Sequence, residues 1–364
     1  MYHRRCATYL KPANTSNCTH YVKPPKDKTN HDHYTAGARW PHMARNPLLP
    51  RPAIERVCRQ HLSISAKEHC TVTFHASGTF NKLYVIKSPE RRLIMRVTLP
   101  VYPRHKTRAE VATLRWIGFE WILMEFMDGQ SAHDRWRTLS MEQKAALTRQ
   151  VATFQAELAG FGKFRGIGAL EGVAPGLLVS HEFFMGDHLH YDIPRGPFIS
   201  SHDWLSTELQ IILLDQKAIL EKPEVDEDDK EEADERISAA QKLVSVLDKV
   251  FTPTGGETEP EITGLYHDDL HLGNILVDED GKIPAVLDWE CVSAMPLWIF
   301  TEVPKFLDEE VREEEPQIDG YGDADDEHRM EYEATQLRKA YEARLRELWP
   351  EWLVEESVEK VVTL

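Results

Sequence analysis

The sequence predicts an α+β protein with its strands gathered early and its helices late. Short apolar runs bounded by turn residues cluster between Cys70 and Val97. From Ser140 onward, apolar residues recur at helical spacing in stretches that end near Gly160, Leu214, Phe251 and Trp352. With 364 residues, 41% of them hydrophobic, the chain can hold two cored units, or one domain with extensions. No run reaches the roughly eighteen apolar residues of a membrane span, so no membrane partner is expected.

Residues 1–43 carry seven Lys/Arg against two Asp, with prolines that break any period. They are expected to be a disordered leader. Arg4 and Arg5 keep a mitochondrial address as the alternative to a cytoplasmic one. A small unit is expected over 44–127. Pro52–His61 has helical spacing, with Ile54, Val57, Cys58 and Leu62 on one side. Cys70–His75, Leu83–Lys87 and Leu93–Val97 read as strands, the last two joined by Ser88-Pro89-Glu90. The turn Ala76–Asn81 supplies Ser77, Gly78, Thr79 and Asn81. Its backbone N–H groups can cradle phosphates, or it can be an ordinary hairpin turn. Arg96 ends the third run, and Glu110 on the helical stretch Thr107–Trp116 is its candidate ion-pair partner. Phe119–Phe126 then leaves room for one strand.

A larger, mainly helical unit is expected over 128–364. Ser140 and Gln143 form a capping box for a helix whose buried face is Leu147, Val151, Phe154 and Leu158. Gly166–Ala169 reads as a loop and Leu177–Phe184 as a strand. His181, His188 and His190 lack ligand spacing and read as structural or solvent-facing. Ser200 and Asp203 cap a helix over Trp204–Leu214. Ile237–Phe251 follows, with Ala240, Leu243, Val244, Leu247 and Val250 in one stripe. Glu331–Trp352 closes the series, with Leu337, Tyr341, Leu345 and Leu348 as its buried stripe.

The net charge of −17 is local. Ten acids against three bases fill 221–236, and ten against one fill 308–326, leaving the remainder near neutral. Both runs are expected to be solvated insertions or disordered loops, and no nucleic-acid partner is expected. Five cysteines without a C-x-x-C pair argue against a disulfide framework and against a zinc site, and Cys291 reads as a small buried residue.

The chemistry sits in 265–290, which reads LYHDDLHLGNILVD-EDGK-IPAVLDWE. Asp269, four residues, Asn274 and then Asp288 beyond a hairpin is the order and spacing of a phosphotransfer catalytic loop. Moving a phosphoryl group from ATP needs positioning, charge neutralisation and one proton acceptor. Asp269 is placed to accept or orient the proton of an attacking hydroxyl. Asn274 and Asp288 are hard oxygen donors suited to Mg²⁺. Ile275–Asp278 and Ile283–Leu287 around Asp-Gly read as the hairpin that returns Asp288 to Asn274. A metal hydrolase built on His267-Asp268 would need that pair on a helix, against which Gly273 and the β-like run argue.

The wording His267-Asp268-Asp269-Leu270-His271-Leu272-Gly273-Asn274 with Asp288-Trp289-Glu290 resembles the aminoglycoside phosphotransferase and choline kinase-like family. That family's loop is close to HGDLHxGN with a later D-[WF]-E, and the likeness covers about Cys70–Phe306. The resemblance implies a two-lobed protein kinase-like fold using ATP and Mg²⁺ on a small hydroxylated substrate. Asp269 would be the catalytic Asp, and Asn274 and Asp288 the Mg²⁺ ligands. Ser77, Gly78, Thr79, Asn81, Arg96 and Glu110 would lie at the phosphates, and Glu125–Met127 would be the hinge that takes the adenine. Two departures stand out: Asp268 replaces the usual Gly, and Arg96 the usual Lys. The interval between Glu110 and Glu125 also predicts a four-stranded sheet where the family has five strands. A catalytically silent nucleotide-binding or scaffold protein is the alternative these departures favour. Trp289 and Trp298 are either core residues or faces for a cationic acceptor.

Overall fold

The computed structural model describes residues 51–78, 81–98, 120–160, 164–222, 225–251, 259–316 and 323–350. Thr79 and Glu110 lie outside these residues, as does the expected leader. Two compact units are present. One ends at Met127 and takes in Phe184–His190; the other comprises Asp128–Phe183 and the chain from Tyr191 onward.

The first unit opens with α1 (Arg51–His61), followed by β1 (Thr71–Ser77), β2 (Asn81–Lys87), β3 (Arg92–Thr98) and β4 (Glu120–Glu125). Among the described residues these strands form one four-stranded antiparallel sheet in the order β1-β2-β3-β4. The period-two pattern decides its faces. Val72, Tyr84, Ile86, Met95 and Val97 pack with Ile54, Val57 and Cys58 of α1 into one core. Arg96 lies on the other face, opposite Leu83 of β2 and Ile122 of β4.

The second unit begins with β5 (Gln130–Ser131), α2 (Ala132–Trp136) and α3 (Met141–Gly160). The expected capping box closes reciprocally: Gln143 N–H donates to Ser140 Oγ at 3.3 Å, and Ser140 N–H to Gln143 Oε1 at 2.9 Å. Then come β6 (Phe164–Arg165), β7 (Gly168–Glu171), β8 (Ala174–Pro175), α4 (His181–Phe184), α5 (Ser201–Leu220) and α6 (Glu227–Val250). The chain returns through β9 (Ile262–Tyr266), β10 (Ile275–Val277), β11 (Ala285–Val286) and β12 (Ser293–Pro296), and the last described helix is α7 (Asp323–Leu348). One sheet runs β11-β10-β5 and another β6-β9-β12-β7-β8. Helix α3 packs on α7 and on β9, and α5 packs on α6. Leu147, Val151, Ile275, Leu337, Tyr341 and Leu345 share the core beneath.

Several local expectations are corrected. Residues 166–169 are not a loop, because Gly168 and Ala169 pair with Ala294 and Ser293 of β12. Short strands of this kind are selected by distant partners that no local pattern reveals. Leu177–Phe184 is not a strand: Phe183 N–H bonds back to Ser180 O, and the segment ends in α4. Short apolar runs do not separate helix from strand by period alone. The acidic stretch 221–236 is not an unstructured insertion, since α6 starts at Glu227. Asp226 Oδ1 accepts the Asp229 N–H at 2.8 Å, and three acids in the first turn suit the positive end of the helix dipole. Likewise α7 begins at Asp323, inside the second acidic run. Leu243, Val244 and Leu348 are exposed, so only part of each expected stripe is buried.

Candidate functional site

The segment rich in chemistry is delivered by β9, which sits between β6 and β12. Its Thr263 is buried, with Oγ1 donating to Gly166 O at 2.9 Å. Beyond Tyr266 the chain leaves the sheet. His267 is buried and holds Leu287 O at 2.9 Å through Nε2. Burial keeps this imidazole below its usual range and therefore neutral, and because a carbonyl only accepts, the proton is on Nε2. That bond ties the start of the loop to the end of the hairpin.

A single 3₁₀ turn over Leu272–Asn274 follows, entered when His271 Nδ1 accepts the Gly273 N–H at 2.9 Å. Asn274 then reaches back, its Nδ2 donating to Asp269 O at 2.9 Å and to Asp269 Oδ2 at 3.1 Å. The hairpin closes as expected: Ile275 faces Val286 and Leu276 faces Ala285. Leu287 N–H donates to Asn274 O at 2.7 Å. Asp288 is therefore the residue immediately after the partner of Asn274. It holds a left-handed backbone (φ 60°), unusual for a residue with a Cβ and tolerated best by Asn and Asp.

Asp269 is the electrostatic centre. Lys305 Nζ lies 2.8 Å from its Oδ1, and His271 Nε2 lies 3.5 Å from its Oδ2. Burial pushes this carboxyl up, but Lys305, His271 and the Asn274 amide outweigh it and hold it below the usual carboxylate range. Asp268 goes the other way. Burial, followed by the charges of Asp269 and Glu182, raises it to about 7. Adjacent carboxyls are thus driven apart, one kept ionised and one titrating close to physiological pH.

Lys305 was not singled out by the sequence. It comes from a 3₁₀ turn opened by Pro304, 36 residues beyond its partner. Its one sequence signal is that it stands alone as a cation between Glu302 and Asp308. Trp289 and Trp298 are packing residues. Trp289 Nε1 donates to Val286 O at 2.8 Å and its ring meets Phe154 and His267 edge-on. Trp298 donates to Ser201 Oγ at 2.8 Å and stacks on Trp204.

In the first unit, Ser77 ends β1 and Asn81 begins β2. Gly78 N–H is taken by Asn81 O at 2.9 Å, so this amide closes the hairpin and is not free for a phosphate. Arg96 is buried, which removes a surface ion pair from its possible roles. Glu125 pairs with Leu93 at the far end of the sheet from Ser77 and Asn81, and Met127 is the last residue before the second unit. Arg96 falls between these two ends. Lys82 was also missed; it is buried on β2, and burial lowers it from the usual lysine range.

A sequence model described as the phosphotransferase enzyme family matches residues 117–299, half of the chain. The chain belongs to the phosphotransferase enzyme family. The matched stretch holds the whole Asp269–Asn274–Asp288 constellation, while the first three strands precede it. Among curated proteins, this family member is 27% identical over 162 residues to subtelomeric hrmA-associated cluster proteins of two Aspergillus fumigatus strains. That match takes in 34% of this chain and 32% of each relative, so the chain spans about a third of the length of the curated relatives it matches. Among solved structures it is similar to aminoglycoside phosphotransferase APH(4)-Ia, at 14% identity and a TM-score of 0.43 over 69% of this chain and 75% of that one. It is also similar to spectinomycin phosphotransferase APH(9)-Ia in complex with ADP and spectinomycin, at 14% identity and a TM-score of 0.37 over 86% and 92% of the two chains.

Proposed function

We propose that this phosphotransferase moves the terminal phosphoryl group of ATP to a hydroxyl of a small molecule. The observation that carries the reading is the Asp269 carboxylate, held by Asn274 from one side and Lys305 from the other. Its depressed basicity keeps it charged at neutral pH, ready to accept a hydrogen bond from the acceptor hydroxyl. Such a carboxylate orients the nucleophile first and takes its proton late, which suits a loose transition state with little early need for a base. Lys305 is a cation beside the reacting centre and can meet the transferring phosphoryl oxygens.

Asn274 and Asp288 fit Mg²⁺. The Asn274 Nδ2 is spent on Asp269, leaving its Oδ1 as the ligand atom, and Asp288 brings a second hard oxygen donor. When bound, Mg²⁺ would supply positive charge that offsets the charge of the nucleotide phosphates. His267 positions the Asp288 end of the hairpin through Leu287.

The nucleotide-side residues of the first unit lie in an order that matches an extended nucleotide. Glu125 and Met127 are at the adenine end, Arg96 is midway, and Ser77 and Asn81 are at the phosphate end, where Gly78 serves the turn. Five strand steps of about 3.3 Å separate the ends, about 17 Å in all. Thr79 and Glu110 belong to the same proposal by their sequence positions. The acceptor stays at the level of a small hydroxylated molecule.

The test is Mg·ATP binding by thermal shift, together with phosphorylation of a panel of hydroxylated metabolites. Asp269→Ala is expected to keep Mg·ATP binding while turnover falls by about 10² to 10⁴. Binding without any Asp269-dependent turnover would instead identify a nucleotide-binding scaffold.

A further inference from the structure

We propose that His181, Asp268 and Cys291 form a second metal site, for a divalent transition ion of the zinc class. It shares no ligand with the Asn274–Asp288 pair. One ligand atom from each of the three residues lies within 4.8 Å of the others. This gathering of an imidazole nitrogen, a carboxylate oxygen and a thiol sulfur is built by the fold. In the β9–β12 ladder Tyr266 faces Ser293. Asp268 and Cys291 each lie two residues beyond that last pair, so both leave the same end of the ladder. His181 arrives from α4, anchored by the buried Phe183 side chain and by Arg195 Nη1 donating to Phe183 O at 2.7 Å.

The donor types choose the ion. Mg²⁺ and Ca²⁺ take oxygen ligands, and a thiolate–imidazole pair suits neither. Zinc takes N, O and S donors at about 2.0–2.3 Å, and three protein ligands leave a fourth position open. Ligand atoms around such an ion stand about 3.3–3.6 Å apart, so modest side-chain closure completes the site. The absence of a C-x-x-C motif had argued against zinc. That argument covers only ligands close in sequence, whereas these are separated by 87 and 23 positions. The site also gives a use to Asp268, which stands where the family's loop has glycine. A bound dication would offset the charge that Asp268 otherwise sets beside Asp269.

The test needs no acceptor substrate. The full chain, reduced and stripped with chelator, is titrated with Zn²⁺ against a chromogenic indicator and separately with Co²⁺ by absorption spectroscopy. One Zn²⁺ per chain and a thiolate-to-cobalt charge-transfer band are expected, neither displaced by Mg²⁺. His181→Gln, Asp268→Gly and Cys291→Ser should each weaken Zn²⁺ by at least about tenfold, the loss seen even for an outer partner of a ligand. The band should vanish in Cys291→Ser and persist in Cys58→Ser. Circular dichroism and melting in chelator show whether each variant folds. If Cys291→Ser melts early without metal, the partly exposed His181→Gln decides the question. Absence of stoichiometric binding, a band that survives Cys291→Ser, or unchanged Zn²⁺ affinity in His181→Gln overturns the proposal.

Discussion

Asp269 is held below the ordinary carboxylate range chiefly by one cation that the motif does not contain. Lys305 Nζ at 2.8 Å is the strongest of the influences lowering this carboxyl against its partial burial. Lys305 is itself largely exposed, so the pair contributes little to stability and its consequence is read in the chemistry. Lys305→Met removes the charge and keeps the length of the stem. Asp269 then moves up toward the ordinary carboxylate range, so the acid limb of the kcat/KM profile is expected to shift to higher pH. The rate at neutral pH should also fall by at least about tenfold, because a donor aimed at developing charge is lost. A profile that scales down without moving would show that Lys305 acts on the phosphoryl group alone.

At the scale of elements, the site depends on how closely β9 lies against α3. A Cβ on Gly264 would stand 2.8 Å from both Cα and O of Ala159 and 3.1 Å from the Phe300 ring. Backbone cannot yield as a side chain can, so Gly264→Ala is expected to push β9 outward and cost about 1–3 kcal/mol, the usual range for overpacking. Urea denaturation reads that loss, and Asp269 turnover should fall with it because the loop is carried on the displaced strand. This dependence also explains what the sequence could reveal. Helix α1, strands β1–β4, the capping box at Ser140 and the β10–β11 hairpin are written in neighbouring residues, by period, cap and turn chemistry. So is the Asp269–Asn274–Asp288 order. Strands β6 and β7 were not legible, because they are short and exist through β9 and β12. Helix α6 was extended into the acidic run by a cap at Asp226 that charge counting overlooked. Lys305 and the His181–Asp268–Cys291 cluster were hidden for the same reason: each is a meeting of residues far apart in the chain.

For the folded molecule as a whole, buried acids tie stability to pH, and Glu208 gives the cleanest case. It lies on α5, accepts a hydrogen bond from Trp204 Nε1 at 2.8 Å, and is raised from 4.5 to about 7 by burial and then by Glu182, against that bond. An acid raised on folding keeps its proton in the native state after the unfolded chain has released it. Its contribution is therefore favourable below pH 4.5 and is lost as pH rises to about 7. His267, lowered by burial, works in the opposite sense and loses stability as pH falls below its ordinary range. The two trends overlap, so the wild-type curve alone cannot separate them. Glu208→Gln can, since the amide keeps an oxygen for Trp204 and cannot ionise. The variant is expected to match wild type near pH 4.5 and to exceed it by about 1–2 kcal/mol at pH 8, once partial solvent screening is allowed for. Urea unfolding of both proteins across that range measures the difference. A constant offset, or a gap that opens toward acid, would mean that Glu208 is ionised in the native fold.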